Sequence, residues 1–211
     1  ISKSEAKQQR ERNKEDWRIV DKDEPNARLW IMEVESREAK AITPPEWRVS
    51  EYKWLKDGTG FAAIATDRPH SDQWHDRIYK ISTNGKFTEL LSPKGPINAL
   101  DVSPDGQWYS YVASPSAGPE PHDLYLLPST GGDPVNISAK LDRPIQDPVW
   151  SPDGVTALAH DGFRNRLVHF SPKGEVKALT DTANSPVAFA RSAKRILRSE
   201  EHTSELQSRG L

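Results

Sequence analysis

The chain has 211 residues, of which 29 are Lys or Arg and 31 are Asp or Glu, so its formal net charge is −2. This balance gives no reason to expect nucleic acid or a membrane as a partner. No apolar run approaches the roughly 20 residues that cross a bilayer. Cysteine is absent, which rules out disulfides and thiolate metal sites. The compartment stays undetermined: the missing cysteines favour the cytoplasm, but residue 1 is Ile, not Met, so a periplasmic leader could precede it.

Residues 1–15 are almost entirely polar, with Ile1 and Ala6 as the apolar exceptions. Five Lys or Arg and four Asp or Glu alternate along residues 1–16, and no helix face is apolar enough to be buried. We therefore predict a solvated polar arm or the tail of a preceding strand region.

A repeated turn follows this arm. The motif Ser-Pro-Asp-Gly stands at 103–106 and at 151–154, and 55–58 reads Leu-Lys-Asp-Gly, so the aspartates are 48 residues apart. In such a turn Pro presets φ, Ser or Asp bonds nearby backbone, and Gly avoids steric strain. We interpret these residues and the Trp before two of the turns as turn-forming and packing residues, not as ligands: Trp54, Asp57, Gly58, Ser103, Pro104, Asp105, Gly106, Trp150, Ser151, Pro152, Asp153 and Gly154.

Strand-length runs flank each turn. Second strands are predicted at 60–66, 108–113 and 156–159; third strands at 28–32, 77–81, 123–127 and 166–170; fourth strands at 39–43, 87–91, 134–138 and 176–180. A four-stranded unit with a period in the forties is typical of a propeller blade. The sequence therefore predicts an all-β fold, a partial β-propeller of four-stranded antiparallel blades.

The predicted propeller occupies residues 16–197, with about four blades and the start of a fifth. Blade one ends near residue 43, and the next three occupy about 46–92, 96–139 and 144–181. Blade five begins near 185, but its turn at 191–194 reads Arg-Ser-Ala-Lys. The strand pattern stops after Leu197, and residues 198–208 closely resemble the translation of a common sequencing-library adapter. We therefore predict that residues 198–211 are an artefactual tail.

One loop raises the question of a metal site. His70, Asp72, His75 and Asp76 are close in sequence, and their side chains are of types that bind divalent cations. Their spacing matches no tight ligand motif, so a polar surface loop is favoured. A second long loop, 114–122, could line a binding surface. No catalytic residue, metal ligand or cofactor is assigned.

The Ser-Pro-Asp-Gly turns, Trp150 and the strand Asp123-Leu124-Tyr125 resemble the propeller of the prolyl oligopeptidase family, especially its acylaminoacyl-peptidase and dipeptidyl-peptidase-like members. Residues 16–21 and 26–30 resemble its first blade, so the resemblance covers about 15–197. It implies a C-terminal α/β-hydrolase domain with a serine nucleophile, and a propeller that restricts entry to short peptides. That hydrolase domain and short peptides are then the implied partners.

Two interpretations remain open from the sequence. It contains no Gly-x-Ser-x-Gly motif, so no catalytic residue can be assigned, and whether the chain belongs to an enzyme is undecided. The same repeat type occurs in TolB-like propellers, which are non-enzymatic scaffolds that bind a protein partner. A hydrolase domain encoded after residue 197 would favour the peptidase, whereas a stop codon after two or three more blades would favour the scaffold.

Overall fold

The computed structural model describes residues 5–14, 26–71, 74–116, 122–181, 185–192 and 194–200. Within these residues the chain forms one short helix, α1 (Glu5–Arg12), and sixteen strands. The strands are β1 (Trp30–Met32), β2 (Ala39–Ala41), β3 (Arg48–Trp54), β4 (Gly60–Thr66), β5 (Arg77–Ser82), β6 (Phe87–Leu91), β7 (Ile97–Val102), β8 (Trp108–Ala113), β9 (Asp123–Pro128), β10 (Val135–Asn136), β11 (Ile145–Ser151), β12 (Gly154–Asp161), β13 (Arg164–Phe170), β14 (Val176–Ala178), β15 (Pro186–Arg191) and β16 (Ile196–Glu200).

Three four-stranded antiparallel sheets make up the centre of the structure. Strands β3 to β6, β7 to β10 and β11 to β14 each pair in sequence order, as a meander. They are blades two, three and four. The pairs β1–β2 and β15–β16 form two-stranded sheets on either side of them in sequence and belong to blades one and five. The predicted fold class, a partial β-propeller, is confirmed.

Successive side chains of each blade's second strand point to opposite faces of the sheet, and this alternation determines how neighbouring blades pack. In β4 every residue is buried, because successive side chains face opposite neighbouring blades. Phe61 and Ala63 pack in the core shared with blade one, whereas Ala62 and Ile64 pack in the core shared with blade three. A third apolar core joins blades three and four. Each blade therefore depends on its neighbours for burial, as repeat architectures require.

The first strands of successive blades lie side by side, and each contains a register shift. At the shift in β7, Ala99 has a φ of 57°. Its amide and that of Leu100 donate to the two carboxylate oxygens of Glu51 in β3, at 2.9 and 2.8 Å. Glu51 therefore satisfies two backbone donors that the irregular ladder leaves unpaired, and it joins blade two to blade three.

We expect Glu51→Ala to lower the free energy of unfolding by about 1 to 2 kcal/mol, because hydrogen bonds to charged groups are among the stronger ones and both amides lose their acceptor. Glu38→Ala is the control, since that exposed side chain makes no such contact, and it should change stability by no more than about 0.5 kcal/mol. Urea unfolding followed by tryptophan fluorescence measures both. Equal effects would show that the carboxylate does not join the blades.

The two ends differ in detail from the sequence-based expectations. The polar arm contains α1, whose described side chains are exposed or half-exposed, so a helix forms there without a buried face. Strand β16 continues three residues past Leu197, where the strand pattern was predicted to stop. Backbone pairing with β15 accounts for this extension, because ladder hydrogen bonds do not require alternating side chains. Residues 201–211 of the predicted tail lie outside the described residues. No described helix is long and apolar enough to span a membrane.

Candidate binding face

The meander gives each blade two ends with different connections. Because consecutive strands are antiparallel, the turns after first and third strands lie at one end, which we call the turn face. The connections after second strands, and the links between blades, lie at the other end, which we call the loop face. The β4–β5 and β8–β9 connections are long and both belong to the loop face. Long loops on a rigid scaffold are where binding residues concentrate.

A cavity of about 370 Å³ opens on the loop face beside blade two. Its lining combines two carboxylates, Glu46 and Asp67, with the cation Arg68 and the imidazole of His70. The loop is held from the neighbouring strand: Arg48 donates from Nη1 to the Pro69 carbonyl at 3.4 Å. Charged groups of both signs around a solvent-accessible cavity can bind a small polar ligand such as a peptide terminus.

The structure describes three of the four side chains that raised the question of a metal site: His70, His75 and Asp76. Asp76 lies 3.5 Å from the guanidinium of Arg48, so its carboxylate already has a cationic partner. Among the described residues no three His, Asp or Glu side chains are grouped to hold a metal ion. Asp72 lies outside the described residues.

A second polar group, which no sequence motif indicated, lies on the loop face at the start of β9. Asp123 is buried, and its carboxylate contacts Nδ1 of His122 at 2.7 Å and accepts from the side-chain amide of Asn136 at 2.6 Å. The carboxylate thereby orients the imidazole, whose Nδ1 faces inward and whose ring is about one-third exposed. An oriented, accessible imidazole can form a hydrogen bond with a ligand at this face.

The predicted turn residues lie on the turn face. Asp105 accepts from the Ser103 hydroxyl at 2.6 Å and from the Gln107 amide at 3.0 Å. In blade four, Asp153 accepts from the Ser151 hydroxyl at 2.6 Å. These serine hydroxyl bonds, and in blade two the backbone amide of Thr59 bonded to Asp57, lower the pKa of the three turn aspartates.

Since these carboxyl pKa values are lowered in the folded state, each charged aspartate stabilises the fold above its ordinary pKa. That contribution is lost as the pH falls through the folded-state value. The carboxylates are close to solvent, so screening keeps the effect small. These aspartates therefore form turns. The other predicted residues of the same turns are Pro104, Pro152 and the glycines, of which Gly58 and Gly106 have φ values of 69° and 71°.

The two predicted packing tryptophans behave differently. Trp150 packs against the core between blades three and four, and its Nε1 donates to the Ser110 hydroxyl at 2.8 Å. Trp54 is 52% exposed and packs against Phe61 of its own blade, with ring centroids 4.2 Å apart and ring planes tilted by 48°. Only Trp150 therefore bridges two described blades by a hydrogen bond.

The irregular turn of blade five carries a residue that the sequence did not single out. Arg191 donates from Nη2 to both carboxylate oxygens of Asp153, at 2.8 and 3.0 Å. Its Nη1 donates to Nδ1 of His169 at 2.9 Å and to the hydroxyl of Thr156. This arginine occupies the place of the first serine in the turn repeat, and from there it connects blade five to blade four.

Comparisons with known proteins agree with the fold. No family model matches the chain. Over 110 residues it is 30% identical to the "uncharacterized peptidase YuxL" of Bacillus subtilis, a match that covers 52% of this chain and 16% of the relative. The chain therefore spans about one sixth of the length of that peptidase.

Solved structures resemble the chain at the level of the fold alone. TolB from Acinetobacter baumannii superposes with a TM-score of 0.61 and 18% identity, covering 84% of this chain and 44% of TolB. A puromycin-hydrolyzing peptidase of Mycobacterium tuberculosis gives 0.59 and 14%, covering 77% of this chain and 28% of the peptidase. An oligogalacturonate lyase in complex with manganese gives 0.63 and 14%, covering 79% of this chain and 51% of the lyase.

Proposed function

We propose that this chain is the substrate-gating propeller domain of a serine peptidase that cleaves short peptides, with the catalytic α/β-hydrolase domain encoded outside these 211 residues. The observation that carries the proposal is the 30% identity to a peptidase over about half of the chain, together with the propeller fold. In this proposal the propeller supplies no nucleophile. It limits access and contacts the peptide through polar groups on one face.

The loop face suits that role. Its cavity offers the carboxylates of Glu46 and Asp67 and the guanidinium of Arg68, which can pair with the charged ends of a short peptide. His122, oriented by Asp123, adds a polar contact at the next long connection.

A TolB-like scaffold that binds a protein partner is the second candidate. The superposition on TolB covers more of this chain than does that on the puromycin-hydrolyzing peptidase, 84% against 77%. A propeller of this kind would act through its surface alone and would need no hydrolase domain. The two candidates differ in whether the intact gene encodes a reactive serine.

We expect the product of the intact gene to be labelled by a fluorophosphonate probe on a serine outside these 211 residues. It should also hydrolyse an acyl-aminoacyl or dipeptidyl chromogenic substrate, because both reactions need an activated nucleophile. The 211-residue chain should do neither, since its sequence contains no Gly-x-Ser-x-Gly motif. Gel fluorescence and absorbance measure the two outcomes, with heat-denatured protein as the control. An intact gene product that resists labelling would favour the scaffold.

A further inference from the structure

A cleft of about 190 Å³ separates blades four and five on the turn face. It lies at the end of the blades opposite to the loop-face cavity, so the proposed peptide contacts do not use it. The side chains that matter to the argument are Lys177, Leu179, Arg191, Lys194, Arg195 and Ile196, all of which line the cleft.

Positive charge collects around this cleft. Lys177 pairs across the sheet with His169, whose ring contacts Arg191 of blade five, so Lys177 lies on the surface of blade four that faces blade five. Lys194 and Arg195 come from the turn between β15 and β16, which is closed by the bond from the Ser192 amide to the Arg195 carbonyl at 2.8 Å.

These three cations are not neutralised by the described part of the protein. Among the described residues, the side chains of Lys177, Lys194 and Arg195 form no ion pair. Asp153 is the one carboxylate among the described residues lining the cleft, and both of its oxygens accept from Arg191. Arg191 and Asp153 therefore neutralise each other, and the charges of Lys177, Lys194 and Arg195 remain. This excess of three positive charges raises the local concentration of anions.

The cleft is also partly apolar. Leu179 and Ile196 contribute aliphatic surface to its lining and remain more than one-third exposed. Covering that surface is favourable for a ligand with an aliphatic group. The ammonium groups of Lys177 and Lys194 attract an anion as point charges, and the guanidinium of Arg195 can bind a carboxylate through two parallel hydrogen bonds.

We propose that the cleft between blades four and five binds an organic carboxylate that carries an aliphatic side chain, such as the C-terminal residue of a peptide. The charges bind the carboxylate, and the apolar lining covers the side chain. This site is separate from the loop-face cavity and does not depend on the protein being a peptidase.

Ligand-detected NMR with the full 211-residue chain tests the proposal, using N-acetyl-leucine as the probe. N-acetyl-leucinamide is the matched ligand, because it keeps the shape and removes the charge. We expect saturation transfer to N-acetyl-leucine, weaker binding at high salt because screening reduces the attraction of exposed charges, and at least roughly tenfold weaker binding of the amide, the ratio that corresponds to about 1.4 kcal/mol.

The double variant Lys177→Gln/Arg195→Gln should weaken the binding of N-acetyl-leucine by a similar factor. Lys173→Gln, in the turn before β14 but outside the lining of the cleft, and Lys140→Gln, on the loop face, should leave it unchanged. All four positions are exposed, so the variants should keep the wild-type circular dichroism melting curve. Equal binding of the acid and the amide, binding of inorganic phosphate alone, or unchanged binding in the double variant would overturn the proposal.

Discussion

Replacing Gly154 by alanine should lower the free energy of unfolding by about 3 to 5 kcal/mol, the sum of backbone strain and overpacking. The same replacement at Gly106 should cost only about 1 to 2 kcal/mol. Gly154 has a φ of 139°, and a Cβ there would lie 2.1 Å from the Phe170 carbonyl oxygen. Gly106 has a φ of 71°, and the nearest atom to its Cβ would be Cβ of Lys56, at 3.5 Å.

The turns themselves explain this difference. In blade four, Ser151 pairs directly with Gly154, so the glycine begins β12 and lies against the neighbouring strand β13. In blade three the last pair before the turn is Val102 with Tyr109, and Gly106 lies within the longer turn. Added volume is therefore tolerated in blade three, whereas in blade four it meets backbone that cannot move without breaking the sheet.

Urea unfolding of the two variants and the wild type, followed by tryptophan fluorescence, measures the two costs side by side. Gly58→Ala is a further control, because a Cβ at that position has no atom within 4 Å and only the φ of 69° opposes it. Equal losses of stability in the Gly154 and Gly106 variants would mean that backbone conformation alone sets the cost. The strands would then move apart enough to remove the contact between the new Cβ and the Phe170 carbonyl oxygen.

The repeat made most of the fold predictable from sequence. Aspartates 48 residues apart mark where each blade turns, and alternating apolar residues between them mark the strands. The pattern is visible in the sequence because every blade buries both faces of its second strand against its neighbours, which requires apolar residues there. The predicted blade limits agree with the three complete sheets to within a few residues.

The sequence does not show which glycine of blade two occupies the same structural position as Gly154 of blade four. By motif Gly154 corresponds to Gly58, but by pairing it corresponds to Gly60, whose Cβ would lie 2.2 Å from the Ile81 carbonyl oxygen. The turn of blade four is two residues shorter, because Trp150 pairs with Val155 whereas Trp54 pairs with Phe61. Turn length depends on the register of the flanking strands, and a four-residue motif does not encode it.

A second repeated feature was present in the sequence but was not recognised. In blades one to four the fourth strand is followed by Thr or Ser. In three of these blades the hydroxyl accepts from a backbone amide within the third strand or directly before it. The pairs are Thr43 with Leu29, Ser138 with Leu124 and Thr180 with Leu167, at 3.1, 2.9 and 3.0 Å. The signal is one small hydroxyl residue at varying spacing, which is far weaker than a turn motif.

Candidate site residues were less predictable than the blades. The long polar loop that contains His70 is evident in the sequence, and the structure places this histidine with Asp67 in the lining of one cavity. The grouping of Asp123 with Asn136 depends on pairing between the third and fourth strands, which are separated by a turn of undefined length in the sequence. Contacts between blades join residues that are distant in sequence, such as Arg191 and Asp153, which are 38 residues apart. No short sequence motif indicates such a contact.

Arg191→Met should lower the free energy of unfolding by about 2 to 3 kcal/mol, because it removes charge-assisted hydrogen bonds to Thr156, His169 and Asp153 and leaves Thr156 and His169 with only each other, at 3.2 Å. The arginine side chain is 10% exposed, and the Thr156 hydroxyl that it bonds belongs to a fully buried residue. The pair with Asp153 contributes less, since that carboxylate is 63% exposed and therefore screened. Arg195→Met, an exposed neighbour, should change stability by no more than about 0.5 kcal/mol.

A double-mutant cycle separates the lost hydrogen bond from lost packing. Adding Thr156→Val to Arg191→Met replaces both partners of the lost hydrogen bond by apolar groups, which can be nearly neutral. About 0.5 kcal/mol should be recovered, less than the full bond, because the hydroxyl also contacts Nδ1 of His169 at 3.2 Å and that contact is lost. Hydrogen exchange should report the change locally, with faster exchange in β15 than in β7, because each blade is stabilised chiefly by its neighbours. If Thr156→Val brings no recovery, or if exchange accelerates equally in all blades, then Arg191 does not join blade five to blade four through its hydrogen bonds.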